Sequence, residues 1–470
     1  MLFNSYTFLI FFLFVFILFW LPLNKYRLLW QNVIILIAGY VFYGWWDWRF
    51  LSLIFLTSLS SWITGLLIER TSKPKLVSAI NIIFNIGILV CFKYFNFFVD
   101  GFVSLLTLFG IQMGRKTLDI ILPVGISFYT FQALSYSIDV YRGKIKACSD
   151  PIRFFAFVSF FPALVAGPIE RAQNLLPQFG EAKEFEYNNG IEGVFRVLYG
   201  LFLKIIIADR LAVLVNCSWN NIDKLSTIPA IVSVIFFAFQ LYLDFASYSE
   251  IAKGIGKLLG FEVMTNFKRP YLSGSFKEFW KRWHISLSSW FMDYVYIPLG
   301  GNRMGGIIEK RNLVIVFFLS GLWHGASWTF ILWGILNGLF LVVFDRIFKA
   351  KIGINRFIVF VCWSLSLILF RAPDMNSAVE FVKQLFIYNG VATLVSFGLG
   401  TKELIFAVSL IIGLLLWEMI QEEWGDKLSG WVRNKSFSLY YFTAVLIIMS
   451  IILLGRYGIG NDSSFIYFQF

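Results

Sequence analysis

A chain of 470 residues that is 58% hydrophobic and 14% charged does not have the balance of a soluble globular protein, in which about a quarter of the residues are charged. The net charge of +12 does not argue for nucleic acid, because the basic residues sit in short links between apolar runs, the positive-inside pattern of cytoplasmic membrane loops. Cys91, Cys148, Cys217 and Cys362 are widely spaced and form no C-x-x-C, so neither a disulfide framework nor a zinc site is supported.

Many apolar runs approach the roughly 20 residues that cross a bilayer as helix. The simplest organisation is one integral-membrane domain over residues 1–470 with about ten to twelve spans. The first is about Thr7–Leu23; it lacks the basic start and small-residue cleavage site of a secretory signal and is read as retained. Spans follow at about Leu29–Tyr43, Phe50–Ile68 and Leu76–Phe98, with the basic link Glu69–Lys75 expected in the cytoplasm. The next run, ILPVGISFYTFQALSYSIDVY, is interrupted at Pro123 and Gly125 and carries Gln132, Ser135, Ser137 and Asp139. Such a polar face lines a wet path or makes hydrogen bonds between helices. FFAFVSFFPALVAGPIER is too short for a span and is broken by Pro162, Gly167 and Pro168, as in a re-entrant or interfacial segment. Arg171–Asn189 reads as a solvated linker. Gly193–Val215 and Ile228–Phe245 are further spans, the latter placing Asp244 and Glu250 near a membrane edge.

Lys253–Arg311 is the longest stretch without a clear span. It holds ten Lys or Arg against four acids, which places it on the cytoplasmic side. At its centre Ser275 and Glu278 form a capping-box pattern. Phe276, Phe279, Trp280, Trp283, Leu287 and Trp290 follow with helical spacing, so an amphipathic helix along the interface is predicted. His284 falls at the edge of its apolar face, beside Lys277. Lys277, Lys281 and Arg282 on that helix suit a phosphate-bearing donor or lipid headgroups, or are a solvated, topology-setting face.

The run NLVIVFFLSGLWHGASWTFILWGILNG, Asn312–Gly338, is long enough to cross the membrane and contains His324. Thirteen residues of helix from Arg311 put this imidazole about 20 Å into a core of roughly 30 Å. Gly321 and Gly325, and again Gly334 and Gly338, have the spacing that lets helices approach closely. Later spans are about Phe357–Phe370, Leu404–Met419 and Leu439–Leu454, with a weaker apolar run near Val391.

An ionisable residue at membrane depth is a functional-site hypothesis by default. The chain has only two histidines, His284 and His324, both in Trp-rich segments. A buried neutral imidazole can take a proton from a hydroxyl; the structural alternative is a hydrogen bond between helices. No Walker-type loop or G-x-S-x-G elbow is present, and two histidines forty residues apart without nearby ligands are a weak metal site.

NFKRPYLSGSFKEFWKRWHISLSSWFMDYVYIPLGGNR followed by GLWHGASWTFILWGILNG resembles the membrane-bound O-acyltransferase (MBOAT) family. So do LPVGISFYTFQALSYSIDVYRG, FFPALVAGPIER and FQLYLDFASYSEIAKG. The likeness is greatest to the bacterial branch that O-acetylates alginate and peptidoglycan or transfers D-alanine to teichoic acids, and its best-matching core is about 120–346. The resemblance implies an all-α, ring-like bundle of membrane helices, with re-entrant and interfacial helices around a central tunnel. It implies that His324, in W-H-G-x-x-W, is catalytic and that His284, in R-W-H-I-S, lines the same tunnel from the cytoplasmic side. Trp323, Trp283, Arg282, Lys281, Asp244 and Asn302 are the expected substrate-binding and tunnel residues.

By the same resemblance the donor is an acyl thioester such as acetyl-CoA, with no bound cofactor or metal. The acceptor is an extracytoplasmic polysaccharide, reached directly or through an exported or membrane-anchored partner, and the location is the bacterial inner membrane. Two rivals are a conduit that passes the acetyl group to a separate exported transferase, and a secondary transporter, which predicts inverted repeats that the sequence does not show.

Overall fold

The computed structural model describes residues 1–21, 25–110, 122–347, 352–388, 398–433, 437–457 and 465–466. Every regular element among them is helical. Six helices are long and apolar enough to cross a membrane: Arg27–Gly44, Trp48–Ile68, Pro74–Lys93, Thr227–Leu258, Gly353–Arg371 and Thr401–Gly425. Four shorter apolar helices accompany them, Tyr6–Phe19, Phe95–Leu108, Trp328–Phe344 and Leu439–Leu454. The chain is therefore a polytopic helical membrane protein. It divides into two compact units, one of Met1–Val194 with Ala252–Met264, the other of Phe195–Ile251 with Thr265–Phe470.

The first unit contains α1 (Tyr6–Phe19), α2 (Arg27–Gly44), α3 (Leu51–Ile68), α4 (Pro74–Lys93), α5 (Phe95–Leu108), α6 (Ile126–Tyr141), α7 (Pro151–Val158) and the single turn α8 (Ala172–Leu175). Local chemistry sets several starts. Ser5 Oγ accepts from Phe8 N–H at 3.2 Å, and Asp150 caps α7 ahead of Pro151, as expected where the first N–H groups lack helical partners. The span predicted at Leu76–Phe98 is instead two helices, α4 and α5, broken at Tyr94 between the polar residues Lys93 and Asn96.

Helix α6 starts directly after the Pro123–Gly125 break and is buried along almost its whole length. Its polar residues bond to neighbouring elements. Asn81 Nδ2 donates to Ser137 Oγ at 2.9 Å and to Ser61 Oγ at 3.3 Å. Gln132 Nε2 donates to the Phe157 carbonyl at 2.7 Å, and Asp139 accepts from Gln173 Nε2 at 2.9 Å. The polar face of α6 therefore ties helices together, the role open to it where water is scarce. The linker predicted to be solvated from Arg171 turns its apolar residues inward along a turn and a 3₁₀ segment, with Leu175 and Phe179 fully enclosed, while Gln173, Asn174 and Pro177 are exposed.

The second unit takes up α9 (Tyr187–Phe202) from Phe195, then a π-helical stretch Leu203–Ala208 and α10 (Asp209–Asn220). The span expected at Gly193–Val215 lies within this continuous helical run, which is π-helical over Leu203–Ala208. The π stretch brings the buried Lys204 against Asp209, at 2.8 Å, and Asp244, at 2.5 Å. Helix α11 (Thr227–Leu258) runs well past the predicted end at Phe245. Asp244 is a buried mid-helix residue.

The remaining helices are α12 (Phe276–Arg282), α13 (Ile285–Phe291), α14 (Gly306–His324), α15 (Trp328–Ile347), α16 (Ile352–Arg371), α17 (Met375–Gln384), α18 (Thr401–Arg433) and α19 (Phe437–Leu454). The apolar run near Val391 lies outside the described residues.

Two expectations are corrected here. The predicted interfacial helix is two helices, α12 and α13, broken at Trp283–His284. Its apolar face is enclosed by protein: Phe276, Phe279, Trp283, Leu287 and Trp290 are all buried. The apolar run Asn312–Gly338 is not one crossing but an antiparallel hairpin of α14 and α15, turning at Gly325–Ser327. Ser327 Oγ accepts from Thr329 N–H at 3.2 Å and starts α15. Glycines allow the two helices to touch backbone to backbone. A Cβ on Gly321 would strike the Phe330 carbonyl oxygen, and one on Gly334 the Phe317 carbonyl oxygen.

Candidate active site

The site lies within the second unit, where the hairpin α14–α15, helix α16 and the break between α12 and α13 meet. His324 is the last residue of α14. Its ring is buried and walled edge-on by Trp323 at 5.0 Å, Trp333 at 5.1 Å and Phe370 at 5.1 Å between centroids. A helix C-terminus gathers carbonyl groups without helical partners, so positive charge appearing on this imidazole would be favoured there.

His284 occupies the break between α12 and α13 with φ +42° and ψ 54°, a left-handed conformation costly for a side-chain-bearing residue. Arg269, at φ +49°, is the other such non-glycine among the described residues. Backbone bonds hold the two strained residues close together: Lys268 N–H to the Arg282 carbonyl and Ile285 N–H to the Asn266 carbonyl, each 2.9 Å. Strain of this kind persists only where surrounding structure enforces it.

The His284 ring is fully buried against Phe245 at 4.6 Å, Phe267 at 6.2 Å and Trp323 at 5.8 Å. Its Nδ1 is 3.1 Å from Asn266 Oδ1. Burial pushes its pKa down to about 3, so this imidazole is neutral at physiological pH. Trp323 thus touches both imidazoles, and the indole forms a common wall for the only two histidines in the chain.

The other expected site residues are placed as follows. Trp283 is buried in an aromatic stack, 5.6 Å from Phe279 at 15° and 4.7 Å from Trp363. Arg282 bonds Glu278 Oε1 and Glu422 Oε1, both at 2.7 Å, while Arg269 holds the second oxygen of Glu422 at 2.6 Å. Asp244 accepts from Lys204 and, through its other oxygen, from Ile466 N–H at 2.7 Å. Lys281 and Asn302 are exposed. The buried Asn312 fastens the turn holding Asn302, donating to the Leu299 and Gly301 carbonyls at 3.1 Å each.

Asn266, Phe245, Trp333, Trp363 and Phe370 carry no signal in the sequence that sets them apart as site residues. In the sequence Asn266 is an ordinary polar residue, and Phe245 and Phe370 only end predicted spans. Only the break at His284 brings Asn266 onto the imidazole. Among the described residues no three His, Cys, Asp or Glu side chains come together as a metal site.

This is a polytopic membrane protein whose two buried imidazoles both stand against one indole, Trp323, at a helix hairpin. Residues 147–351 match the MBOAT, membrane-bound O-acyltransferase family. A protein of Pseudomonas putida named "Probable alginate O-acetylase AlgI" is 38% identical over 397 residues, covering 82% of this chain and 80% of its own length. One of the same name from Pseudomonas syringae pv. tomato is 41% identical over 360 residues, covering 76% and 67%. The "Peptidoglycan O-acetyltransferase" of Helicobacter pylori is 34% identical over 432 residues, covering 83% and 81%. The chain belongs to the MBOAT family and is an acyltransferase.

Proposed function

We propose that the chain moves an acetyl group from a cytoplasmic thioester, acetyl-CoA, to hydroxyls of an extracytoplasmic polysaccharide across a bacterial inner membrane. The relatives' names, alginate O-acetylase and peptidoglycan O-acetyltransferase, support acetyl and polysaccharide as donor group and acceptor class. The observation that carries the reading is the shared wall: both histidines of the chain are buried against Trp323.

In this mechanism His324 accepts the proton of the attacking hydroxyl. The oxygen bonds to the thioester carbonyl carbon, the C–S bond breaks, and the departing thiolate takes the proton back from the imidazolium. The products are an O-acetyl ester and a free thiol. The helix C-terminus favours the transient positive charge. A thioester already has a good leaving group, so one base and close positioning are a sufficient minimum. His284 positions the thioester or the incoming group. Trp283, Arg282 and Asp244 hold the site in shape, and the exposed Lys281 and Asn302 receive the donor's polar end. The attacking hydroxyl belongs to the polysaccharide itself or to an exported or membrane-anchored partner that hands the acetyl group on to it.

The test is purified His324→Ala with acetyl-CoA. Loss of acetyl transfer of about 10²–10⁴-fold with unfolding behaviour unchanged is expected for removal of a general base. Wild-type turnover in that variant would overturn the reading.

A further inference from the structure

Asn266 is buried in the second unit, on the segment that follows α11. Its side-chain oxygen receives Ser286 N–H at 3.3 Å and Ser286 Oγ at 2.9 Å. Its side-chain nitrogen donates to Ser249 Oγ at 3.3 Å. These contacts settle which end of the amide faces the ring. A backbone N–H can only donate, so the Asn266 atom it meets is the carbonyl oxygen. An atom that accepts from Ser286 must also accept from His284, whose Nδ1 lies 3.1 Å away. The proton of the neutral imidazole is therefore on Nδ1, and Nε2 carries the lone pair, because the tautomer follows the hydrogen bond that one nitrogen makes.

That leaves Nε2 as an acceptor. It is buried and has no hydrogen-bond partner among the described residues. The two phenyl rings against it, Phe245 and Phe267, carry no N–H or O–H to donate. A buried unmet acceptor is costly in a low-dielectric site and is kept where something else supplies the donor. The left-handed backbone at His284 adds to that cost.

We propose that Asn266 is a positioning residue that fixes His284 in its Nδ1–H form, so that Nε2 presents a hydrogen-bond acceptor to an N–H or O–H group of the acyl donor or acceptor. This rests on the acyltransfer site proposed above and deepens it: the group His284 recognises is a hydrogen-bond donor, not a carbonyl or an anion. His284 Nδ1–H also pairs with an uncharged amide, which leaves the imidazole neutral throughout.

Two histidines in the whole chain make the test direct. The full-length protein carrying ¹⁵N-histidine is purified, and His324→Ala assigns the remaining ring. Wild-type protein is expected to show His284 with a protonated Nδ1 and a lone-pair-bearing Nε2. Asn266→Ala is expected to move the proton to Nε2 and to lower transfer by about 10–100-fold, the usual cost of losing a partner that orients an imidazole. Asn266→Asp, which keeps the acceptor, is expected to restore the Nδ1–H signature. A wild-type spectrum with the proton on Nε2, or an Asn266→Ala spectrum identical to wild type, would overturn the proposal. The wild-type spectrum decides it even if Asn266→Ala does not fold. Full activity in His324→Ala would instead remove the acyltransfer reading while leaving the tautomer assignment in place.

Discussion

Adding one methyl group to Gly321 is expected to damage this enzyme, while the same change at Gly87 is not. Gly321 sits where α14 meets α15, and its Cβ would collide with the Phe330 carbonyl oxygen and lie 3.3 Å from the Gly334 Cα. Both obstacles are backbone, so no rotamer change relieves them; the helices must part by the better part of an ångström. A gap of about 0.5–1 Å forfeits roughly a quarter to a half of each contact's dispersion energy, and overpacking in cores costs about 1–3 kcal/mol. The shift also moves Phe330 and Trp333 relative to His324, now 6.5 and 5.1 Å away, and misplacement by about 1 Å can cost 10²-fold in rate. Gly87, within α4, has nothing within 4 Å of an added Cβ, and alanine inside a helix gains up to about 1 kcal/mol over glycine. Thermal unfolding in detergent and acetyl transfer, measured on Gly321→Ala and Gly87→Ala in parallel, read both effects. Equal stability and equal activity for the two variants would refute the backbone contact at the hairpin.

Two other predictions concern charge. Burial lowers the His284 pKa to about 3, against about 6.5 in an unfolded chain, so between those values the unfolded state binds the extra proton. Stability is then complete above about pH 6.5 and falls on acidification by up to about 1.4 kcal/mol per pH unit; His284→Asn should show a correspondingly shallower fall in unfolding experiments from pH 7 to 4.5. Lys204→Met leaves Asp209 and Asp244 buried without their common cation, expected to cost about 3–5 kcal/mol, with recovery when both acids are also changed to Asn. A single variant as stable as wild type would show that the ion cluster does not hold α10 and α11.

The membrane class, most helices and both histidines were legible because they depend on local pattern: apolar length, basic links and rare residue types. α2, α3 and α16 begin and end within a few residues of the predicted bounds. What was illegible depends on contacts between distant segments. An apolar run from Asn312 to Gly338 has the composition of a single span, and hydropathy does not register a turn made of Gly325, Ala326 and Ser327. The glycine spacing was visible, but not that its partner was the next helix of the same run. Likewise the spacing from Phe276 to Trp290 is that of one helix. The break at His284 exists because Asn266, eighteen residues earlier, captures Ser286 N–H and replaces the helical bond.

The two imidazoles are differently equipped, and the difference bears on how the proposed transfer divides its labour. A base must gain a proton in the transition state, so it needs somewhere for positive charge to be tolerated. His324 has that at the end of α14, where carbonyl groups converge. His284 has three aromatic walls and an amide, and no carboxylate bonds it among the described residues. Charging it is opposed by burial, so it serves better as a fixed acceptor than as a proton carrier. Trp323 touches both rings. On the proposed reading, Nε2 of His284 holds a substrate donor group while a hydroxyl loses its proton to His324. Losing His324 should then act mainly on kcat, and losing the His284 acceptor should act on both KM and kcat.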